Sequence, residues 1–515
     1  MKNSPIGNAA SFVVTPTHST TLSSATALTA KEQFHQKINA WRDAAAPDSG
    51  EQRAVAAKRI EDAYERNARD LHLGMLRLAS LPDLEGLTNL QTLSLSNNQL
   101  STLSDKAFEG LTNLQTLSLY NNQLSTLSDL SEFIGELTNL RILNLVNNRL
   151  TSIPENLLRL PATCEVSLEN NRFSEAVIAQ LSAAANAPDY AGPRILFSMA
   201  TASDQGHVAV PLSNAVAKWY EQSAQGSAAF SKDAWAEIGK EDSARDFSIF
   251  LERLHNTVNS TDPTFRKQIV DWLTRLAGNS ALRKEIFLEA REGIASCEDR
   301  VSLTLNSMKQ REITLSVMRG DYDNRLDQLI PLARQQYRLN ELAKIAYAKV
   351  QTLRFVDEID VHLAYQVKLR ETLALALDTR DMRFFGVAHV TQDDLQTAAL
   401  QVKQNENQHF PSYLANDWTP WQSVLQRLDP KGYETLQDDI YEAKTNQLTD
   451  TQNALLAERN LPATEGNLLN VTSEALQIIA NQHNQTFNKA FLQAQENKPS
   501  GTPGLSALLN PPWEI

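Results

Sequence analysis

The chain has 515 residues, 42% hydrophobic and 21% charged, with a formal net charge of −13 from 48 basic and 61 acidic residues. That length exceeds one ordinary core and predicts two or three globular units, while the acidic balance argues against nucleic acid or an anionic membrane as the main partner and favours protein partners. Two cysteines, Cys164 and Cys297, exclude a disulfide scaffold and a thiolate-rich zinc ribbon, and no apolar run approaches the ~18 residues that a membrane-spanning helix needs.

Residues 1–29 are rich in Ser and Thr, lack a sustained apolar stretch before a cleavage site, and read as a flexible leader. A helix is expected from Thr29, with Glu32 as its capping partner and Phe34, Ile38 and Trp41 at helical spacing. The break from Pro47 to Gly50 separates it from a second helix with Ala57, Ile60 and Tyr64 on one face. Residues 30–67 are thus predicted to be a helical hairpin.

Residues 68–173 are repetitive. Leu90, Leu93, Leu95, Asn98 and Leu100 match L-x-x-L-x-L-x-x-N-x-L, as do Leu114 to Leu124 and Leu140 to Leu150. The asparagines step by 24, 26 and 23 residues through Asn122 and Asn148 to Asn171, and a worn copy precedes them with Leu76 in the asparagine place. Leucines at these positions fill a flat stack, and each asparagine can bond turn backbone that would otherwise be buried unpaired. A leucine-rich-repeat solenoid follows, with the helical hairpin capping its first repeat. Five strands ~4.8 Å apart span roughly 20 Å, room for one binding patch. Alternation puts Tyr120, Ile142 and Val146 on the open face, an apolar group on an otherwise polar surface that reads either as a partner site or as scattered surface apolarity. Residues 174–210 read as a short helix, a Pro/Gly turn and an apolar strand-like stretch that close the solenoid and begin a linker.

From about Pro211 the texture is helical. Trp219, Trp235, Phe247, Phe250, Ile269, Trp272 and Leu276 outline amphipathic helices, and further helices are expected to begin near Asn340, Thr391 and Pro420. The predicted fold is therefore multidomain: a helical cap and short leucine-rich-repeat solenoid of α/β type, then an all-α domain over residues 211–500 and a flexible tail over 501–515.

No phosphate-binding loop, serine-hydrolase elbow or Cys/His cluster is present, so no cofactor and no metal are expected. Cys164 lies in the fourth repeat and reads as packing. Cys297 stands in ASCEDRVSLTLNSMK, where Ser296 and Asp299 are spaced as a capping pair opening a helix. A helix start favours a thiolate by only about 0.3 to 1 kcal/mol, and Glu298 and Asp299 oppose it. Spacing leaves plain roles open, a cap for Asp299 and a small hydrophobe for Cys297. It also leaves a chemical one: Asp299 drawing the proton from an amine that attacks a thioester on Cys297, since a lysine amine near pKa 10.4 is mostly protonated at neutral pH. Cysteine proteolysis needs a histidine base, and no local signature nominates His255, His362 or His389.

The stretches APDYAGPRILFSM, ASCEDRVSLTLNSMK, TLRFVDEIDVHLAYQVKLRETLAL and DMRFFGVAHVTQDDL together resemble the NEL (novel E3 ligase) domain of the IpaH-type bacterial effectors, and the order of leader, helical cap, repeats and helical domain extends the resemblance to about residue 490. It implies a secreted type III effector acting in the host cell cytoplasm as an E3 ubiquitin ligase. Ubiquitin from a host E2 conjugating enzyme would form a thioester on Cys297 as nucleophile, and Asp299 would serve as general base for transfer to a lysine of a host protein substrate chosen by the leucine-rich repeats. The resemblance also implies restraint of the ligase by the repeats. The alternative is a non-catalytic repeat scaffold.

Overall fold

The computed structural model describes residues 28–46, 48–104, 107–127, 131–199, 210–221, 230–294, 298–498 and 502–514. The leader through residue 27 lies outside them. Helices α1 (Ala30–Asp43) and α2 (Arg53–Glu65) form the expected hairpin, and Thr29 and Glu32 make a reciprocal capping box. Phe34 stacks on Tyr64 with ring centroids 4.2 Å apart, and Ile38, Ala57 and Ile60 are buried over the first repeat.

The strands are β1 (Asp70–His72), β2 (Thr92–Ser94), β3 (Thr116–Ser118), β4 (Ile142–Asn144), β5 (Glu165–Ser167), β6 (Arg194–Leu196) and β7 (Phe355–Val356), in one parallel seven-stranded sheet in chain order. A one-turn helix α3 (Ser131–Ile134) precedes β4, and α4 (Glu175–Ala185), capped by Ser174, precedes β6. The central residue of β1 to β6 is buried, as repeat leucines require. Asn122 is typical of the ladder: its Nδ2 donates to the carbonyls of Leu95 and Leu119, each at 3.0 Å, and its Oδ1 accepts from Leu100 N–H at 3.1 Å. The preceding residues Asn97, Asn121, Asn147 and Asn170 hold φ between 55° and 58°, a left-handed turn that asparagine tolerates better than most residues.

The expected five strands become seven. The apolar stretch at Arg194–Leu196 continues the sheet as β6, and β7 comes from the helical domain. Ile195 N–H donates to Arg354 C=O at 2.7 Å and Phe197 N–H to Val356 C=O at 3.1 Å, so the second domain supplies a strand to the repeat sheet.

The helical domain comprises α5 (Leu212–Glu221), α6 (Lys232–Ile238), α7 (Ala244–His255), α8 (Pro263–Ala277), α9 (Ser280–Gly293), α10 (Glu298–Arg319), α11 (Leu326–Thr352), α12 (Glu358–Lys368), α13 (Gln392–Asn416), α14 (Thr419–Leu428), α15 (Pro430–Glu458) and α16 (Glu465–Glu496). One core gathers Trp219, Phe247, Phe250 and Trp272 with Val301 and Leu305 of α10. The capping pair of Thr391 and Asp394 opens α13 as expected. The expected start near Asn340 is corrected: that residue lies inside α11, which starts at Leu326. Pro331 forfeits one backbone bond there, but Leu329, Ile330 and Ala333 are fully buried and outweigh it.

The C-terminal segment, expected to be flexible, is docked over residues 502–514. Leu505 is buried in the core of α11, α13 and α16, and Trp513 Nε1 donates to Glu406 Oε2 at 2.7 Å. Glu406 is 1% exposed and also binds Arg334 at 2.9 Å and Arg338 at 2.7 Å, while Arg334 reaches the carbonyls of Leu508 and Asn510. A buried charge group of this kind is costly unless every donor is paired, and the tail supplies the missing acceptors. Glu406→Gln should lower the thermal midpoint of the helical domain by several degrees, on the order of 3 to 5 kcal/mol, because two buried guanidiniums lose their counter-charge. A midpoint within a degree of the parent in calorimetry would refute that account.

Candidate active site at the start of helix α10

Asp299 is the second residue of α10 and 2% exposed. Its Oδ1 accepts from Arg383 N–H at 3.1 Å and its Oδ2 from Phe384 N–H at 3.0 Å. The loop that supplies these donors is itself clamped. Asn259 Oδ1 accepts from the N–H groups of Arg380 and Asp381 at 2.8 and 2.9 Å, and Thr379 Oγ1 donates to Asn306 Oδ1 of α10 at 2.9 Å. Met382 and Phe384 bury their side chains, the latter in the core shared with the repeats. Cys297 and Ser296 lie outside the described residues, as does the expected cap between Ser296 and Asp299. The hydrogen bonds that do fix Asp299 run to the loop.

Two further carboxyls, absent from the expected site, come from the α12 start. Asp357 caps α12, its Oδ1 accepting from Ile359 N–H at 3.1 Å and its Oδ2 from Met199 N–H, on the segment leaving β6, at 3.0 Å. Asp360 is fully buried and within hydrogen-bond reach of Asp299. Among the described residues neither Asp360 oxygen has an N–H or O–H donor, so contact between the two carboxyls requires a shared proton. Burial raises the Asp299 carboxyl above its ordinary range, opposed by the loop N–H groups and Asp360. Burial raises Asp360 well above the ordinary carboxyl range, reinforced by Asp357 and Asp299. Asp357 is pushed up to about 7, again by burial first.

The domain junction adds charge beside the site. Glu169, at the end of the β5 repeat, is raised by burial, with Glu358, Glu165 and Arg300 as its charged neighbours. Arg194 bridges Glu165 at 2.7 Å and Glu358 at 3.3 Å, and His389 Nε2 pairs with Ser182 Oγ of α4 at 3.2 Å. Phe197 stacks on Phe355 at 4.1 Å.

Cys164 is 1% exposed, and burial pushes its thiol up to about 12, so it stays a protonated packing residue. No histidine is among the groups that hydrogen-bond Asp299 in the described residues. On the repeat face, Tyr120 and Val146 sit side by side beyond the β3–β4 pairing, whereas Ile142 pairs with Thr116, four residues or about 13 Å along the strand. The structure thus brings two of the three face residues together, with Asn144 between Val146 and Ile142.

Residues 219–432 match the family described as NEL, C-terminal novel E3 ligase, LRR-interacting, and residues 88–132 and 139–160 match leucine-rich-repeat families. The chain joins leucine-rich repeats to a helical region that matches the NEL family. It is 38% identical over 298 residues to the E3 ubiquitin-protein ligase ipaH3 of Shigella flexneri, covering 58% of this chain and 51% of that protein. It is 36% identical over 296 residues to the E3 ubiquitin-protein ligase ipaH9.8 of Shigella dysenteriae, covering 57% and 53%. The chain therefore spans about half the length of these curated relatives. Among solved structures, YopM from Yersinia enterocolitica is 32% identical over 28% of this chain and 30% of that one, with a TM-score of 0.24.

The carboxyl cluster sets a pH dependence. Asp357, Asp360, Asp299 and Glu169 all have folded values above their ordinary ones, so the native state holds protons that the unfolded chain has released. Their stabilisation is complete below the unfolded carboxyl range near 4 and is lost as pH rises through about 7, the folded value of Asp357. The thermal midpoint should fall between pH 5 and pH 8, and less steeply in Asp357→Asn; scanning calorimetry that finds identical slopes for both proteins would contradict this.

Proposed function

We propose that this chain is an E3 ubiquitin ligase working through a cysteine thioester, secreted through a type III system and acting on proteins of the host cytoplasm. The observation that carries the reading is the pairing of a NEL match with Asp299. Two residues after Cys297, this carboxylate is buried at a helix start and held by two backbone donors on a clamped loop. A group fixed in that way is pre-positioned for proton transfer. The name that the relatives carry, E3 ubiquitin-protein ligase, supports ubiquitin and an E2 as the partners.

In the proposed sequence the Cys297 thiolate attacks the ubiquitin carbonyl of the E2 thioester, forming a new C–S bond as the E2 thiolate leaves. A substrate lysine then attacks the Cys297 thioester. Asp299 takes the proton from the attacking nitrogen, the C–S bond breaks, and the Cys297 thiolate leaves to be reprotonated. The lysine attacks as the neutral amine, the minor form of a group near 10.4, and as the N–C bond forms its nitrogen turns acidic, so a carboxylate in place can take the proton that must leave. The repeat face around Tyr120 and Val146, with Ile142 further along, selects the substrate. No helix among the described residues is long and apolar enough to cross a membrane.

Incubation with activating enzyme, E2 and ubiquitin should yield ubiquitin chains, absent in Cys297→Ala and replaced by a trapped oxygen ester in Cys297→Ser. Chain formation by Cys297→Ala at the parent rate would reject the reading and leave the non-catalytic repeat scaffold. Restraint by the repeats is supported by the shared sheet, the Phe197–Phe355 stack and Glu169 beside Arg300. Deleting residues before about 205 should raise the chain-forming rate several-fold; an unchanged or lower rate counts against restraint.

A further inference from the structure

Asp360 is 0% exposed, and among the described residues no N–H or O–H group reaches its carboxyl oxygens, which lie against the carboxyl of Asp299. Two carboxylates in contact repel, and in a dry interior they cannot both ionise, so one proton must lie between them. The surroundings decide which residue carries the charge. Asp299 accepts two backbone N–H groups from the loop, whereas Asp360 has no such donor among the described residues. The anion is therefore better solvated on Asp299 and the proton resides on Asp360.

We infer that Asp360 is a positioning residue: held as a neutral carboxylic acid, it donates its proton to Asp299 and keeps that residue ionised and aimed in a buried site. This rests on Asp299 being the proton acceptor of the lysine transfer step. A buried carboxylate with too few donors protonates, and a protonated Asp299 cannot accept from the lysine nitrogen. Asp360 keeps its own proton throughout. During transfer Asp299 gains the proton from nitrogen and returns it to the departing Cys297 thiolate, so the pair begins and ends with one proton.

The charged groups facing the pair come from two elements: Asp357 from the α12 cap and Arg383 from the loop. Asp357 has its own donors in Ile359 and Met199, so it does not draw on the Asp360 proton. The main chain of Met199 belongs to the segment leaving the repeats. The acid pair thereby stands one hydrogen-bonded residue away from the solenoid end.

The test separates loading from discharge in the full-length chain. Cys297 is charged with ubiquitin, excess E2 thioester is quenched, and discharge to free lysine is followed from pH 6 to pH 9.5 for the parent, Asp360→Ala and Asp360→Asn. Taking each variant's rate relative to the parent at the same pH cancels the ionisation of lysine. Asp360→Ala should load normally, discharge several-fold more slowly toward pH 6, and approach the parent rate at high pH, because the loss of a donor moves the Asp299 ionisation upward. Asp360→Asn keeps an N–H donor and the same shape, and should discharge within about threefold of the parent with no displaced acid limb. An Asn variant as impaired as the Ala variant, or an Ala variant whose relative rate is flat or falls with pH, overturns the inference. Should Asp360→Ala fail to fold, an Asn variant that discharges more than about threefold below the parent overturns the inference. Asp299→Asn in the same series tests the underlying reading separately: parent-like discharge there removes Asp299 as the base, whereas lost discharge with a flat Asp360→Ala profile removes only the role of Asp360.

Discussion

A parallel solenoid sheet has an edge that must be paired or covered, and here the helical domain pairs it. β7 is only two residues long, yet its hydrogen bonds to β6 set where the α12 start lies. Phe355 faces Phe197 in the repeat core, and one residue beyond β7 Asp357 turns the chain into α12 while binding the main chain of Met199. The arrangement of Asp357, Asp360 and Asp299 follows from that short pairing, because two of the three carboxyls ride on the segment that β7 anchors. Deep burial then raises all three, like charge adds to it at Asp357 and Asp360, and the available N–H donors decide which holds a proton.

The same junction accounts for the loop over α10. Phe384 has two ties in opposite directions: its N–H binds Asp299 of the helical domain, and its ring packs in the core continuous with the repeats. Asn259 and Asn306 hold the loop from the helical side. A displacement of the solenoid end therefore bears on the carboxylate through packed side chains and short hydrogen bonds, which is the kind of contiguous contact that energetic coupling between sites uses.

Much of this was legible in the chain itself. Repeat leucines and asparagines have a period that only a stacked sheet satisfies, and Thr29 with Glu32 and Thr391 with Asp394 are local signals that need no tertiary knowledge. Asp299 stood out by its spacing from Cys297. What stayed hidden depends on contacts distant in sequence. β7 is two apolar residues with no alternation to announce a strand, and its partner lies about 160 residues earlier, as the Ile195 to Phe355 pairing shows. Asp360 reads as an ordinary first-turn acid, favourable at any helix start; only the approach of α10 turns it inward. The tail is short and carries a Pro-Pro run, so nothing local predicted that Trp513 would reach Glu406.

The tail and the carboxyl cluster are opposite solutions to one problem. Around Glu406 the chain buries a charge and satisfies it fully, with two guanidiniums and an indole N–H. Around Asp299 it buries three acids with fewer donors than oxygens, and the shortfall is met by protons held near neutral pH. The first solution gives rigidity to α11 and α13. The second gives a site whose retained protons let one carboxylate stay ionised among buried acids, where the repeats, the loop and α10 meet.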